Sequence, residues 1–196
     1  MLALLQLRRL LLACALAAFR QLRLSSLLLL AGVLTACVQV PLQAPQNGFA
    51  ASGRVNIRSS SDANTASFTW LATQEKDVLS LATPLGTTLA ELTIQYQDGQ
   101  TVAARLQHGQ DVSSADNPEA LLEQVAGLQL PVSGMRWWLR GQPVPSGELI
   151  RHEVGFTQNG WLIIASDYRG GTLPYRVELS RDDIKVRVLM NEWSAP

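Results

Sequence analysis

Apolar and polar residues alternate along most of the chain from residue 52 onward. Val55 and Ile57 stand between polar neighbours, and Leu92 and Ile94 repeat this spacing further along. Successive side chains of a β-strand point to opposite faces of a sheet, so this alternation predicts strands with one apolar face. The pattern predicts about nine to eleven antiparallel strands. Two pairs between the runs are typical of tight hairpins: Asp98-Gly99 and Asn159-Gly160.

Helical signals are confined to one region between two blocks of strands. Asn117 precedes Pro118 and suits a helix N-cap, and Gly127 suits the end of the same helix. A second short helix is predicted from Val132 to Arg140. A long sheet with one apolar face has to cover that face with a second sheet, by curling into a barrel, or with helices. Because two short helices interrupt the strands, we predict a mainly β fold with a curled sheet and a helical plug.

Residues 1–36 have the composition of an export signal. They carry four arginines, no acidic residue, long apolar runs and small residues at the end. A transmembrane helix is the alternative. Arg20 and Arg23 divide the apolar residues into runs of about ten to thirteen, shorter than the roughly 20 that span a bilayer. Two apolar runs are unusual for one signal, and the position of the translation start stays open.

Cys37 is the only cysteine after the predicted signal, because Cys14 would be removed with it. One cysteine can form neither a disulfide nor a cysteine-based metal site within one chain. The sequence Leu34-Thr35-Ala36-Cys37 resembles the bacterial lipobox, whose thiol receives a diacylglyceryl group before the signal is cleaved. We therefore predict a lipoprotein signal peptide at 1–36, a lipidated Cys37 with a tether at 37–51, and one folded domain at 52–196.

Charge and motifs exclude several classes of function. Without residues 1–36 the chain has 12 basic and 16 acidic residues, a net charge of −4 that disfavours a nucleic-acid partner. Catalytic and phosphate-binding motifs are absent from the sequence. His108 and His152 are interpreted as surface residues, and Asp182-Asp183 as a turn. We predict no enzyme, no metal and no cofactor, and a periplasmic hydrolase stays open as a weak alternative.

A series of short motifs resembles the LolB family of outer-membrane lipoprotein receptors. The motifs follow the family's order and span residues 53–193: Gly53-Arg54-Val55, Phe68-x-Trp70, Thr83-Pro84-Leu85-Gly86-x-Thr88, Gly127-x-x-Leu130-Pro131-Val132, Trp138-Leu139-x-Gly141-x-Pro143, Gln158-Asn159-Gly160-Trp161 and Trp193. One departure is the short segment of about fifteen residues between Cys37 and Gly53. Family members commonly have a longer segment with a helix, so the presence of an N-terminal lid helix stays open.

The resemblance implies an incomplete antiparallel β-barrel whose helices cover an apolar cavity. It implies a monomeric protein, anchored by lipid in the outer membrane and facing the periplasm. Such a protein accepts client lipoproteins from the soluble carrier LolA, binds their acyl chains in the cavity and inserts them into the outer membrane. A lipoprotein scaffold of an envelope assembly machine is the alternative, and it would present a protein-binding face without a cavity.

Two sets of residues follow from the resemblance. The loop Pro84-Leu85-Gly86 would project Leu85 to solvent and assist membrane insertion, although the residues alone favour a leucine packed under the sheet. Eight apolar residues are candidates for the cavity wall, and the tryptophans among them also suit an ordinary core: Trp70, Leu81, Leu92, Ile94, Met135, Trp137, Leu139 and Ile163.

Overall fold

Eleven strands and two helices make up the part of the chain that the computed structural model describes, residues 41–127 and 129–194. The predicted signal peptide, Cys37 and the first residues of the tether lie outside this part. The strands are β1 (Phe49–Arg58), β2 (Ala63–Ala72), β3 (Lys76–Ala82), β4 (Thr88–Gln97), β5 (Gln100–His108), β6 (Asp111–Ala115), β7 (Leu149–His152), β8 (Gly155–Gln158), β9 (Trp161–Ser166), β10 (Arg176–Arg181) and β11 (Ile184–Ser194). The helices, α1 (Pro118–Ala126) and α2 (Val132–Trp138), lie between β6 and β7.

All eleven strands belong to one antiparallel sheet in the order β6-β5-β4-β3-β2-β1-β11-β10-β9-β8-β7. Strands β1 and β11 pair in the middle and join the two blocks of strands that the sequence shows. The edge strands β6 and β7 do not pair with each other, so the sheet stays open. The prediction of a mainly β, incomplete barrel with short helices is confirmed.

The turns and helix ends follow the local sequence signals. Asp98-Gly99 and Asn159-Gly160 have positive φ angles at both positions, which type I′ hairpin turns require. The Asn117 side chain accepts hydrogen bonds from the backbone N–H groups of the first turn of α1. Helix α2 ends at Trp138, two residues before the predicted end, and Leu139 follows as its C-cap.

Strand β1 begins at Phe49, earlier than the alternation suggests. Phe49, Ala50 and Ala51 are all buried, so no polar residue marks the outer face there. A shift in the pairing with β11 falls between Ser52 and Gly53. Alternation of residue type therefore starts only after this irregularity.

Neither helix within 41–127 and 129–194 combines the length and the apolar character needed to cross a bilayer.

Gly53 lies where two backbones come too close for a side chain. A Cβ atom added there would lie 2.2 Å from the Leu189 carbonyl oxygen and 2.9 Å from the Phe68 ring. Gly53→Ala is therefore expected to lower the free energy of unfolding by about 2 kcal/mol, because β1 has to move away from β11. Urea unfolding measures this change.

Gly171→Ala is the matched control, since the nearest atom to its added Cβ is 3.7 Å away. Its free energy of unfolding should change by less than about 0.5 kcal/mol. Equal effects of the two substitutions would contradict the close approach at Gly53.

Candidate functional site: an apolar cavity

An apolar cavity of about 470 Å³ lies between the sheet and the two helices. Strands β1 to β5 and β11 supply most of its wall, including Phe68, Leu106 and Val188. Leu122 of α1 and Val132 of α2 supply part of the cover. A volume of roughly 300–1,000 Å³ and a mostly apolar lining are typical of ligand-binding cavities.

The cavity brings together five of the eight wall residues that the sequence suggested. They come from three strands and from α2 with its C-cap: Trp70, Leu81, Leu92, Met135 and Leu139. Ile94, Trp137 and Ile163 do not line the cavity. Ile94 and Ile163 are fully buried, and Trp137 is half-buried and packs against the core.

The position of Ile163 follows from how the two halves of the sheet are covered. On strands β7 to β10, Trp161, Ile163 and Leu179 are buried in packed core, and no residue of these strands that the structure describes lines the cavity. The buried Trp138 side chain closes this half, and its Nε1 donates a hydrogen bond to Gln158 Oε1 at 2.9 Å. The hollow therefore lies in front of β1 to β5 and β11 alone.

Exposed residues of the lining mark the mouth of the cavity. Asn64, Thr65 and Leu89 are exposed, as is His108 at the end of β5. The register places Asn64 opposite Ile57, near the end of β1, and His108 opposite Ala90, near the start of β4. The mouth thus lies at the end of the sheet that carries the β1–β2 and β3–β4 connections.

The opposite end of the sheet is closed by a buried polar cluster. Asp77, at the start of β3, is 1% exposed and forms an ion pair with Arg136 of α2. Arg136 also donates to the backbone carbonyl of Thr73, and Tyr96 donates through its hydroxyl to Asp77 Oδ2 at 3.0 Å. The register pairs Asp77 with Ala72 and Ile94, so Ile94 lies beside this cluster and not on the cavity wall.

Burial dominates the protonation of Asp77. Loss of hydration raises the pKa of its carboxyl group to about 6, although Arg136, Tyr96, Trp70 and Arg140 lower it in that order. The indole N–H of Trp70 is buried and has no hydrogen-bond partner. It is the one such side-chain atom in the described part of the chain. Burial beside Asp77 also raises the pKa of Tyr96.

Sequence reasoning assigned no role to Asp77, Tyr96 or Arg136, and it noted Gln158 only as part of a family motif. One signal was present for Asp77, because residues 77, 79 and 81 share a strand face and the last two are the inward leucines. An acidic residue on an inward face needs a buried partner. That partner, Arg136, is distant in sequence and is not marked by any local pattern.

Leu85 lies at the tip of the β3–β4 loop and is 96% exposed. Gly86 N–H donates to the Thr83 carbonyl at 2.9 Å, and Pro84 occupies the second position of this turn. Gly86 has φ +89°, and an added Cβ there would meet no atom within 4 Å. The loop is therefore held by its own backbone and presents a leucine to solvent on the mouth side of the sheet.

Within the described ranges, no three His, Cys, Asp or Glu side chains are grouped so that they could hold a metal ion. His108 and His152 are both exposed, and His152 Nε2 lies 2.7 Å from Thr157 Oγ1. Asp182 has φ +53° in the β10–β11 connection, as the turn interpretation predicts.

In a comparison with known proteins, residues 47–193 match the family model described as "Outer membrane lipoprotein LolB". A protein of Pseudomonas fluorescens named "Outer-membrane lipoprotein LolB" is 32% identical over 156 residues, covering 75% of this chain and 74% of that protein. Proteins of the same name from Chromobacterium violaceum and Pseudomonas paraeruginosa are 32% and 35% identical. The alignment with the Chromobacterium violaceum protein covers 89% of this chain and 98% of that protein. The alignment with the Pseudomonas paraeruginosa protein covers 72% of this chain and 71% of that protein. The resemblance inferred from the motifs is confirmed.

The raised pKa of Asp77 predicts an unusual pH dependence of stability. With a pKa of about 6 when folded and 3.8 when unfolded, Asp77 takes up a proton in the folded state first as the pH falls. Between pH 7 and pH 5 the free energy of unfolding should therefore rise by about 1 kcal/mol relative to Asp77→Asn. Urea unfolding of both proteins across this range measures the difference.

The test is how the difference in free energy of unfolding between the unsubstituted protein and Asp77→Asn changes with pH. The remaining carboxyl groups titrate alike in both proteins and cancel from this difference. A difference that is constant from pH 7 to pH 5 would contradict the raised pKa.

Proposed function

The chain belongs to the LolB family of outer-membrane lipoproteins, and from this premise we propose how it handles lipoproteins. It accepts them from the periplasmic carrier LolA, shelters their acyl chains in the apolar cavity and inserts them into the outer membrane. Cys37 is the proposed site of its own lipid anchor, which would hold the domain at the periplasmic face of that membrane. The proposal involves no enzymatic step and no cofactor.

The hydrophobic effect gives the reason for a sheltered route. A client with three long acyl chains has on the order of 45 CH₂ groups at roughly 0.8 kcal/mol each, a cost in water above about 30 kcal/mol. The chains therefore have to pass from one apolar site to the next without crossing water. When they stay covered, each step needs only a modest drop in free energy, and no nucleotide is required.

The observation that carries the proposal is the position of the cavity mouth relative to Leu85. The exposed lining residues and the β3–β4 loop lie at the same end of the sheet. An exposed leucine beside an apolar opening is suited to contact a bilayer while acyl chains leave the cavity. The cavity itself disfavours the scaffold alternative, because a scaffold needs a binding face and no hollow.

A transfer experiment tests the proposal directly. The mature protein, lipidated at Cys37, is reconstituted into phospholipid vesicles, and LolA loaded with a fluorescently labelled lipoprotein is added. The label should move to the vesicles in proportion to the amount of reconstituted protein, and vesicles without it should stay unlabelled. Absence of transfer would favour the scaffold alternative.

Filling the cavity is expected to block acceptance of the client. Ala90 is half-buried and lines the cavity near its mouth, so Ala90→Phe should place its ring in empty space and not in packed core. Transfer from loaded LolA should fall at least about tenfold, while the free energy of unfolding changes by less than about 1.5 kcal/mol. Ala63→Phe is the control, because Ala63 is exposed and does not line the cavity. Normal transfer by Ala90→Phe would contradict use of the cavity.

Substitution of Leu85 in the β3–β4 loop is expected to impair insertion into the membrane and not acceptance from LolA. Leu85→Glu should leave folding and acceptance from LolA unchanged, because Leu85 contacts little of the domain. It should slow insertion into the bilayer, since a charged side chain is costly to bury in lipid. Co-purification of client with the protein measures acceptance, and flotation of vesicles measures insertion.

Val154→Glu is the control for this loop. Val154 is 67% exposed but lies between β7 and β8, and the register places that connection at the end of the sheet away from the mouth. If Leu85→Glu inserts clients at the normal rate, the role of the loop is wrong.

A further inference from the structure

The outer face of the sheet carries a group of basic side chains where β1, β11 and β10 pair. The outward positions of these three strands form three rows across the sheet. The rows are Arg54-Leu189-Arg176, Asn56-Arg187-Glu178 and Arg58-Lys185-Ser180. These nine residues are called the basic face.

The pattern of burial shows which way the basic face points. Val55, Val186 and Val188 occupy the alternate positions of β1 and β11, and all three are buried. Successive side chains of a strand point to opposite faces of a sheet, so the basic face points away from the core. All of its basic residues are exposed: Arg54, Arg58, Arg176, Lys185 and Arg187.

The basic face and the mature chain have net charges of opposite sign. The face has five basic residues and one acidic residue, a net charge of +4, whereas the chain from Cys37 onward has a net charge of −4. Within residues 41–127 and 129–194, Arg187 pairs with Glu178 at 2.8 Å, and the other four basic residues of the face form no ion pair. Arg58 and Lys185 lie directly opposite each other, and like charges in such positions destabilise a sheet. An anion beside the face would relieve this repulsion.

The acidic residues nearest to the basic face, apart from Glu178, lie at its two ends. Glu192 lies opposite Ser52, beyond the first row. The turns beyond the third row contain Asp62, Asp182 and Asp183. Asp183 Oδ2 accepts a hydrogen bond from the Ser60 N–H at 3.1 Å, so this carboxylate is engaged with the β1–β2 turn. The middle of the face therefore stays basic.

The predicted tether leaves the domain beside the basic face. The Ala44 N–H donates to Ser194 Oγ at 3.0 Å at the end of β11, and Ser194 lies opposite Ala50 near the start of β1. Cys37 precedes Ala44 by seven residues, which span at most about 25 Å when fully extended. A lipid anchor at Cys37 would therefore hold this end of β1 and β11 close to a bilayer.

A bilayer with anionic headgroups matches the chemistry of the basic face. Its negative surface potential attracts arginine and lysine side chains within about one Debye length. Leu189 is 39% exposed and lies between Arg54 and Arg176 in the first row. An exposed leucine among cations is suited to the boundary between headgroups and acyl chains. An acidic protein would match the charge alone, whereas the tether brings a membrane to this face.

We propose that the basic face lies on the membrane and binds the headgroups of anionic phospholipids, so that β1, β10 and β11 run along the bilayer surface. The inference rests on the lipid anchor at Cys37 in the proposed function and adds a second membrane contact to it. The anchor alone holds the sheet by one end, and the basic face holds it along its length.

A fluorescent label at the far end of the basic face tests this orientation. Ser180, in the row furthest from the tether, is replaced by cysteine, and with Cys37 lipidated this is the only free thiol after the predicted signal. The mature, lipidated protein is placed in vesicles of phosphatidylcholine and phosphatidylglycerol that contain a lipid with a nitroxide quencher on its headgroup.

The same label at Gln107→Cys is the control position, because Gln107 is exposed on β5, four strands from β1. Quenching at position 180 should be at least about threefold stronger than at position 107. Equal quenching would overturn the proposal, because a domain held by its anchor alone does not bring Ser180 to the lipid.

Substitution of the cations tests what holds the face to the membrane. Arg54→Gln, Arg176→Gln and Lys185→Gln together should lower quenching at position 180 to the level at position 107. The matched control removes the same charge from exposed residues elsewhere and should leave quenching unchanged: Lys76→Gln, Arg105→Gln and Arg151→Gln. Full quenching in the first triple variant would overturn the proposal.

Lipid composition and salt provide the same test without substituting the cations. Phosphatidylglycerol is replaced by phosphatidylcholine, or salt is raised from about 0.1 M to about 1 M, which shortens the Debye length from about 10 Å to about 3 Å. Either change should lower quenching at position 180 at least about threefold. Quenching that responds to neither change would overturn binding of anionic headgroups.

Transfer of client from loaded LolA separates this inference from the proposed function. Strong quenching at position 180 without transfer would overturn the proposed transfer and support the basic face. Normal transfer with equal quenching at the two positions would overturn the basic face and leave the proposed function intact. A response of the label at position 180 to loaded LolA, without quenching by lipid, would assign the face to a protein partner and overturn the proposal. Protein that does not float with the vesicles would overturn the anchor at Cys37 and this inference with it.

Discussion

The need to cover one apolar face of a single large sheet governs this structure. In residues 41–127 and 129–194, eleven strands present their inner side chains to one side, and two helices of nine and seven residues lie over them with their loops. Trp138, together with Gln158 and the connection after α2, closes the half formed by β7 to β10. Among the described residues, the other half is covered by a few helical side chains, such as Leu122 and Met135. These side chains leave a hollow in this part of the chain, and a hollow with apolar walls can receive apolar molecules.

The polar cluster of Asp77, Arg136 and Tyr96 makes the two ends of the cavity different. A buried ion pair is weak evidence for stability, because hydrophobic residues of similar volume often stabilise a core as well or better. Burial of Asp77 raises the pKa of its carboxyl group, because loss of hydration disfavours the ionised form. What the cluster provides is geometry, since Asp77, Thr73 and Tyr96 fix the position of Arg136 and hence of α2. The end opposite the mouth is thereby closed by specific contacts, whereas the mouth is bordered by exposed side chains.

Much of this fold is predictable because its signals are local. Alternation marked the strands, positive φ angles at Asp98-Gly99 and Asn159-Gly160 follow from turn chemistry, and Asn117 caps α1 as expected. The wall of the cavity is less predictable, because Leu92 and Ile163 show the same inward alternation but lie in differently covered halves. Which half is filled depends on where Trp138 packs, and Trp138 is distant in sequence from both. Leu85 shows the same limit, since the residues alone favoured burial and the turn geometry exposes it.

A cavity with one fixed end has a consequence for any client that it receives under the proposed function. Acyl chains would enter and leave through the same mouth, because Arg136 and its partners close the other end. The direction of transfer then cannot come from separate entry and exit routes. It has to come from what the mouth faces, which is a loaded carrier in one case and a bilayer in the other. Leu85 projects from a loop at that same end, so contact of this residue with lipid would place the mouth at the membrane surface and favour release over return.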